Sequence, residues 1–233
     1  MSFVRLEDVK KEFHSPAVSF RTMVSPETVG SKKLTMYHIV LESREETMKR
    51  HAHPDEEIYY ILSGRAMITA RGLVTDYDSD VDADTAIWIP SNAEHGLCNT
   101  GEGPLRYICF KCNAEPAHEK GTMTITRVEE VPQTRIMASI DRTFKILVPG
   151  QEVGAKGIVV LEIATIAGAT PPHSHSTEEI YYVIRGQGIV SLNGKETEIF
   201  PGMAVYLPPN AKHNVRKTGQ GLLQYVLCAA SVE

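Results

Sequence analysis

Short apolar runs separated by turn-forming residues recur along the whole chain. The runs are rich in Val, Ile, Tyr and Thr, and none continues as the 3.6-residue stripe of an amphipathic helix. The clearest pair flanks Asn193-Gly194, which suits a two-residue type I′ hairpin turn, and Arg71-Gly72 takes the same place in a second hairpin. The pattern therefore predicts an all-β protein built as an antiparallel sandwich or barrel.

The same pattern of apolar and polar positions occurs twice. Residues 51–64, HAHPDEEIYYILSG, and residues 173–186, HSHSTEEIYYVIRG, are identical at eight of fourteen positions. A second block, AIWIPSNAEH at 86–95, returns as AVYLPPNAKH at 204–213. Such self-similarity indicates two tandem copies of one structural unit.

The duplication predicts two domains. Smaller matches, such as Leu41-Glu42 with Leu161-Glu162, extend the similarity over most of the chain. The join falls in a polar segment containing Pro and Gly, so we expect an N-terminal domain at 1–116 and a C-terminal domain at 117–233. Short helices are expected at the start of the copies and near the join.

In each copy, two histidines and a glutamate have the parity that places them together. His51, His53 and Glu57 are odd-numbered and would share one face of a continuous strand. Glu56 would point the other way, toward the outer surface or a neighbouring sheet. The second copy repeats the arrangement with His173, His175, Glu179 and Glu178.

A third histidine in each copy follows a proline by five residues. Asn92 and Asn210 stand two residues after those prolines, where we expect a turn with positive φ that asparagine tolerates. The turn can aim the imidazole inward. Three imidazoles and one carboxylate suit Fe, Mn, Co, Ni, Cu or Zn better than Ca or Mg. The predicted metal ligands are His51, His53, Glu57 and His95 in the first copy and His173, His175, Glu179 and His213 in the second.

These motifs resemble the cupin signature, G-x5-H-x-H-x3,4-E-x6-G followed by G-x5-P-x-G-x2-H-x3-N. The resemblance covers almost the whole chain and implies a bicupin: two tandem cupin-type β-barrels of the jelly-roll class, each holding one divalent transition metal through three histidines and a glutamate. The chain departs from the signature at several loop positions, namely Asp84, Asn92, Asn210 and Lys217. None of these positions is a predicted ligand.

The resemblance also implies a function. Four protein ligands on an octahedral metal leave two positions for water or substrate, so a molecule with two adjacent oxygens can chelate there. We expect first a metal-dependent dioxygenase acting on a small enolisable or vicinally oxygenated molecule. The alternatives are a non-oxidative isomerase, lyase or decarboxylase acting on a sugar or uronic acid derivative, and a non-catalytic ligand-binding or storage bicupin.

Two tyrosines are the candidate catalytic side chains. Tyr59 and Tyr181 share parity with the ligands and would point into the barrels two residues beyond the glutamates. They are interpreted either as core residues with a satisfied hydroxyl or as acid/base groups beside the metal.

The composition indicates which classes of binding partner to expect. The 233 residues carry a net charge of −5, and no Lys/Arg-rich stripe favours nucleic acid or an anionic membrane. The apolar runs are too short to span a bilayer, and the polar N-terminal stretch shows no secretory signal. We therefore expect a cytoplasmic monomer or homodimer with reduced cysteines and a small-molecule substrate.

Three other groups of residues are not expected to bind metal. Cys109 and Cys112 would point to opposite faces of a strand. The alternating aspartates at 76–84 lack the glycine and glutamate of a calcium loop and indicate a solvated strand face. The histidines without a counterpart in the other copy, expected at the surface or in packing, are His14, His38 and His118.

Overall fold

The computed structural model describes residues 2–45, 47–72, 76–114, 121–135 and 141–232. Antiparallel β-structure dominates these residues, as the spacing of apolar runs predicted. The helical segments predicted at the start of each copy are short 3₁₀ turns, Leu6–Asp8 and Val128–Glu130. The predicted boundary between 116 and 117, and His118, lie outside the described residues.

The elements of the first copy are β1 (Phe3–Arg5), β2 (Glu12–Ser15), β3 (Val18–Val24), α1 (Pro26–Val29), β4 (Leu34–Leu41), β5 (Thr47–His51), β6 (Glu56–Ser63), β7 (Arg65–Arg71), β8 (Tyr77–Asp82), β9 (Thr85–Ile89), β10 (Glu94–Asn99) and β11 (Leu105–Cys112).

The elements of the second copy are β12 (Thr124–Arg127), β13 (Thr134–Arg135), β14 (Arg142–Pro149), α2 (Gly150–Val153), β15 (Ile158–Ile166), β16 (Glu178–Arg185), β17 (Gly188–Leu192), β18 (Lys195–Ile199), β19 (Met203–Leu207), β20 (His213–Lys217) and β21 (Leu223–Ala230).

Each copy combines a large sheet and a small one, consistent with a jelly roll. In the first copy the strand orders are β12-β9-β6-β11-β4-β3-β2 and β5-β10-β7-β8. In the second copy they are β1-β19-β16-β21-β15-β14-β13 and β18-β17-β20. Separate clusters of buried apolar side chains fill the two copies, and a third cluster draws residues from both.

The two copies exchange their first strands. β1 from the start of the chain pairs with β19 of the second copy, with Phe3 opposite Val205. β12, which begins the second copy, pairs with β9 of the first, with Ile125 opposite Ile87. Each large sheet is therefore completed by a strand from the other copy.

Two buried glutamates also join the copies. The carboxylate of Glu56 accepts hydrogen bonds from the backbone N–H groups of Lys156, Gly157 and Ile158 at 2.5 to 3.2 Å. Glu178 in turn accepts from the N–H groups of 32–34 at 2.6 to 2.7 Å and from a tyrosine hydroxyl. The prediction that Glu56 points away from Glu57 is correct, but the opposite face is the contact between the copies and not the outer surface.

The predicted turns are confirmed at three sites. Asn92 and Asn210 both have φ of 61°, and Asn193-Gly194, with φ of 51° and 82°, closes the hairpin of β17 and β18. The hairpin at Arg71-Gly72 is wider than predicted, because the next strand begins only at Tyr77. Residues 73–75 of that connection lie outside the described part of the chain.

Candidate metal centre

The first cluster takes its side chains from both sheets of the copy. His51 ends β5 and pairs with His95 of β10 in the small sheet, whereas Glu57 lies on β6 of the large sheet. His53 lies in the connection between β5 and β6. The predicted continuous strand from 51 to 57 is therefore wrong, because the chain crosses here from one sheet to the other. The crossing brings the same four side chains together.

The four side chains of the first copy converge within metal-ligand distance. One atom from each of His51, His53, Glu57 and His95 lies within 4.8 Å of all the others. Glu57 is central, with Oε2 at 2.9 Å from His95 Nε2 and Oε1 at 3.1 Å from His53 Nε2. Both Glu57 and His95 are 1% exposed.

The second cluster repeats this arrangement with a looser glutamate. Ligand atoms of His173, His175 and His213 lie within 4.8 Å of one another, and His173 pairs with His213 as His51 does with His95. Glu179 lies beside them, 3.3 Å from His175 Nε2 and 3.9 Å from His213 Nε2. Glu179 is not among the residues whose ligand atoms all lie within 4.8 Å of one another, so its role as a ligand stays a prediction.

Backbone carbonyls orient the imidazoles of four cluster histidines. His51 and His95 direct Nδ1 at the carbonyl two residues earlier, at 2.9 and 2.8 Å. His173 and His213 do the same at 3.0 and 2.9 Å. Because a carbonyl only accepts, Nδ1 carries the proton in the neutral ring, and Nε2 is left with a free lone pair. This is the usual way in which proteins orient a histidine that binds metal.

The donor atoms of both clusters fit a divalent transition metal. Among the described residues, the buried Nε2 atoms of His53, His95, His175 and His213 have no hydrogen-bond partner. Their short approaches to the glutamates are not aligned as hydrogen bonds, so the nitrogens face a shared space. Buried polar atoms without a partner are costly, and a cation bound between them would satisfy them. Two clusters in this chain can thus hold metal ions.

The two candidate tyrosines each donate to a cluster glutamate. Tyr59 Oη lies 2.9 Å from Glu57 Oε2, and Tyr181 Oη lies 2.9 Å from Glu179 Oε2. Burial, followed by the nearby carboxylate charge, raises the pKa of both phenols well above the ordinary value. Each tyrosine is therefore a neutral donor that holds its carboxylate in place.

The first cluster has a lysine that the second lacks among the described residues. Lys111 Nζ lies 2.9 Å from Glu57 Oε1, and Cys109 Sγ approaches the same oxygen at 3.6 Å. Burial alone would raise the pKa of Glu57, but contacts with His53 and His95 and the charge of Lys111 hold that pKa well below its ordinary value. Sequence reasoning missed these neighbours because their contacts with Glu57 depend on the pairing of β6 with β11.

The strand register assigns apolar counterparts to these residues in the second copy. Glu57 lies opposite Lys111, and Glu179 lies opposite Ala229. The same pairing places Leu227 where the first copy has Cys109. The two centres therefore differ in charge and polarity beside their glutamates.

A cavity of about 380 Å³ opens on the second cluster. Its walls include His173, Glu179 and Tyr181, together with several apolar side chains. Two charged side chains outside the cluster, Arg142 and Glu162, line the same cavity and form an ion pair.

Sequence reasoning missed the ion pair because it aligned Leu161-Glu162 with Leu41-Glu42. The strand pairings give a different register, in which Glu162 faces Leu227 as Tyr37 faces Cys109. Glu162 is thus the counterpart of Tyr37. In the same register, Ile166 of β15 is the counterpart of Leu41 of β4. Arg142 lies opposite Ile166 and Val18 lies opposite Leu41, so Val18 is the counterpart of Arg142.

The residues predicted to lie outside a metal site are accounted for. Cys109 and Cys112 are free and buried, and they belong to different apolar clusters. His14 is exposed. His38 is buried on β4, and burial followed by the charges of Arg21 and Arg106 lowers its pKa to about 4.

The structure also tests the predictions about the aspartate-rich strand and about membrane spans. The aspartates at 78, 80 and 82 are exposed along β8, which confirms the solvated strand face. Within the described ranges, no helix has the length and apolar character needed to cross a membrane.

Comparisons with known proteins agree with this geometry. The model of the cupin domain family matches residues 37–111 and 159–228. An uncharacterized protein of Methanocaldococcus jannaschii, MJ1618, is 30% identical over 86 residues, which cover 36% of this chain and 69% of the relative. The dimethylsulfoniopropionate lyase DddW of Ruegeria pomeroyi is 38% identical over 63 residues, 27% of this chain but only 41% of the lyase.

A solved structure extends the likeness to the whole chain. The formate complex of oxalate decarboxylase from Lactobacillus farciminis superposes with a TM-score of 0.81 over 100% of this chain and 87% of that chain, at 13% sequence identity. At this identity the likeness concerns the fold. The family match covers more than half of the sequence and falls once on each copy. The chain belongs to the cupin family, with one cupin domain in each half.

Proposed function

We propose that this protein is a metal-dependent enzyme that acts on a small oxygen-rich molecule at the second metal centre, by chemistry that does not consume O₂. The observation that carries the proposal is the cavity of the second copy. His173 and Glu179 of the metal centre share this cavity with Glu162, a carboxylate that belongs to neither cluster.

The proposed metal centre has the ligands predicted from the sequence. His173, His175 and His213 would hold the ion, and Glu179 would be the fourth ligand. A bound divalent metal supplies Lewis acidity, which polarises the oxygens of a chelating substrate and acidifies the neighbouring C–H or O–H bond. Tyr181 keeps Glu179 oriented by donating its hydroxyl hydrogen bond.

Glu162 is the group that moves a proton. Its ion pair with Arg142 favours the ionised carboxylate, which is the form that accepts a proton. The apolar walls of the cavity exclude water and strengthen electrostatic interactions inside it. In an isomerisation, Glu162 would take a proton from one carbon and return it to the neighbouring carbon. In an elimination, it would take the proton while the substituent on the neighbouring carbon leaves with its bonding electrons. In a decarboxylation, protonated Glu162 would deliver its proton to the carbon that loses CO₂.

The names of similar proteins favour non-oxidative chemistry over a dioxygenase. One sequence relative is named a lyase, and the superposed structure is an oxalate decarboxylase. Neither name indicates a dioxygenase, which is the first function expected from the sequence. The dioxygenase therefore stays a prediction, and we place non-oxidative chemistry ahead of it.

The test uses the protein with the metal that it retains on purification. Hydroxy acids, dicarboxylic acids and uronic acids are incubated in D₂O with and without O₂, while proton NMR follows deuterium incorporation, elimination and decarboxylation. We expect turnover without O₂ and a loss of at least about 100-fold in Glu162→Gln. Substrate-dependent O₂ uptake would establish the dioxygenase instead, and full activity in Glu162→Gln would overturn the role of Glu162.

A further inference from the structure

The ion pair inside the second cavity is held on several sides. The side chains of Arg142 and Glu162 are 16% and 8% exposed. The guanidinium of Arg142 lies over the ring of Phe144, with its carbon 4.9 Å from the ring centroid. Burial raises the pKa of the nearby Tyr225 phenol, and the positive charge of Arg142 partly offsets that rise.

The fold does not need this pair. The first copy builds the same sheet with Val18 and Tyr37 at the equivalent positions. Buried ion pairs rarely stabilise a protein more than apolar side chains of similar volume, because both charges lose their hydration. The duplication thus provides an internal comparison. The second copy, whose cavity contains Glu179, has the charged pair Arg142 and Glu162 where the first copy has uncharged residues.

The position of Arg142 connects it to the metal centre. Tyr225 stacks on Tyr181 with ring centroids 4.5 Å apart and planes at 18°. Tyr181 in turn donates its hydrogen bond to Glu179. The guanidinium and the metal centre therefore share the wall of one cavity, with Tyr181 and Tyr225 on the same wall.

The chemistry of the guanidinium points to its ligand. Arginine presents five N–H donors in a planar fork that matches a carboxylate, and among the described residues the fork donates a side-chain hydrogen bond to Glu162 alone. The neighbouring walls are apolar, with Val160, Val215 and Leu227, so a charged hydrogen bond there is strong.

We propose that Arg142, oriented by Glu162, selects substrates that carry a carboxylate remote from the group that chelates the metal. The preferred class is the small 2-hydroxy diacid, with the hydroxy acid end at the metal centre and the second carboxylate at Arg142. This inference rests on the proposed function for the location of the chelating end, but it concerns binding and does not require turnover.

The test compares acids that differ only in the remote carboxylate. Calorimetry measures binding of malate against 2-hydroxybutyrate, and of 2-hydroxyglutarate against 2-hydroxypentanoate, to the protein with its retained metal. Within at least one pair we expect the diacid to bind about tenfold more tightly or better. Equal affinities within both pairs would overturn the proposal.

Two variants identify the residue responsible. Arg142→Gln should abolish the preference for the diacid, because the remote carboxylate loses its partner and the monoacid has no charged group at that position. Because this change leaves Glu162 unpaired and can impair folding, the double variant Arg142→Val/Glu162→Tyr introduces the residues of the first copy and should fold, keep its metal content and lose the same preference. A preference that survives in either folded variant contradicts the role of Arg142.

A matched control and a separate readout complete the design. Arg216 forms an exposed ion pair with Glu196 on the same copy, and Arg216→Gln should retain the preference. Loss of preference in Arg216→Gln would mean that net charge, not Arg142, attracts the diacid, and would overturn the proposal. Absence of turnover with an intact Arg142-dependent preference would refute only the proposed function, whereas turnover without that preference would refute only this inference.

Discussion

At the residue scale, the first metal cluster combines the repeated histidine and glutamate ligands with Lys111, which contacts Glu57 from a neighbouring strand. The repeated spacing identified His51, His53, Glu57 and His95 because ligand spacing is a local property that duplication makes visible. Lys111 was missed because its approach to Glu57 depends on the pairing of β6 with β11, which no local pattern encodes. Contacts between distant strands are thus the part of the site that a single sequence hides.

The tyrosine contacts lead to a first prediction. Replacement of Tyr181 by Phe removes the hydroxyl that orients Glu179, so we expect about 10- to 100-fold weaker metal binding at the second centre only. Competition with a fluorescent chelator measures the affinity of each centre. Tyr59→Phe is the matched variant and should weaken only the first centre. If neither variant changes metal affinity, the tyrosines have no orienting role.

A second prediction concerns His38, which is buried and has a pKa of about 4. An unfolded histidine takes up its proton near pH 6.5, whereas the folded protein resists protonation until pH falls to about 4. The free energy of unfolding should therefore decrease by on the order of 3 kcal/mol as pH falls from about 6.5 to about 4. Above pH 6.5 the histidine is neutral in both states, so His38 causes no loss of stability there.

The variant His38→Ile tests this assignment, because Ile163 occupies the equivalent place in the second copy. Denaturant titrations between pH 7 and pH 4 should show a smaller loss of stability in His38→Ile than in the parent protein. The exposed His14 provides the control, His14→Ile, which should follow the parent. An unchanged pH dependence in His38→Ile would assign the loss to other groups.

At the element scale, turns and face alternation were predictable, and sheet crossings were not. Asn193-Gly194 and the asparagines before the third histidines adopt positive φ because their side chains tolerate it, which is readable from residue type. The crossing from β5 to β6 depends on how two sheets pack. Alternation still separated Glu57 from Glu56 correctly, since both lie on β6.

The buried glutamates at the contact between the copies give a third prediction. Glu178→Ala leaves three backbone N–H groups without their acceptor, so we expect the free energy of unfolding to fall by at least about 3 kcal/mol. Chemical denaturation measures the change. Glu196→Ala, which removes an exposed glutamate of the same copy, should cost less than about 1 kcal/mol. Similar losses in both variants would show that Glu178 does not join the copies.

At the scale of the whole molecule, the repeat predicted two copies but not their exchange of strands. β1 and β12 each complete the sheet of the other copy, and one apolar cluster contains residues of both. A local sequence match cannot show where a terminal strand pairs. The expectation of a monomer or homodimer stays a prediction.

The exchange of strands leads to a fourth prediction. Because each large sheet needs a strand from the other copy, the two copies should unfold together in one cooperative transition. Calorimetry of the metal-free protein should give equal calorimetric and van't Hoff enthalpies. Two separate transitions would show that the copies are independently stable.

The two clusters of this cupin protein have the donor atoms to bind one transition-metal ion each. The most direct measurement is the metal content per chain, by mass spectrometry of the metals, for the parent protein and for His95→Ala and His213→Ala. These variants remove one buried histidine from each cluster. We predict two ions in the parent and one in each variant. Fewer than two ions in a parent protein supplied with excess metal, or two in either variant, would contradict the account.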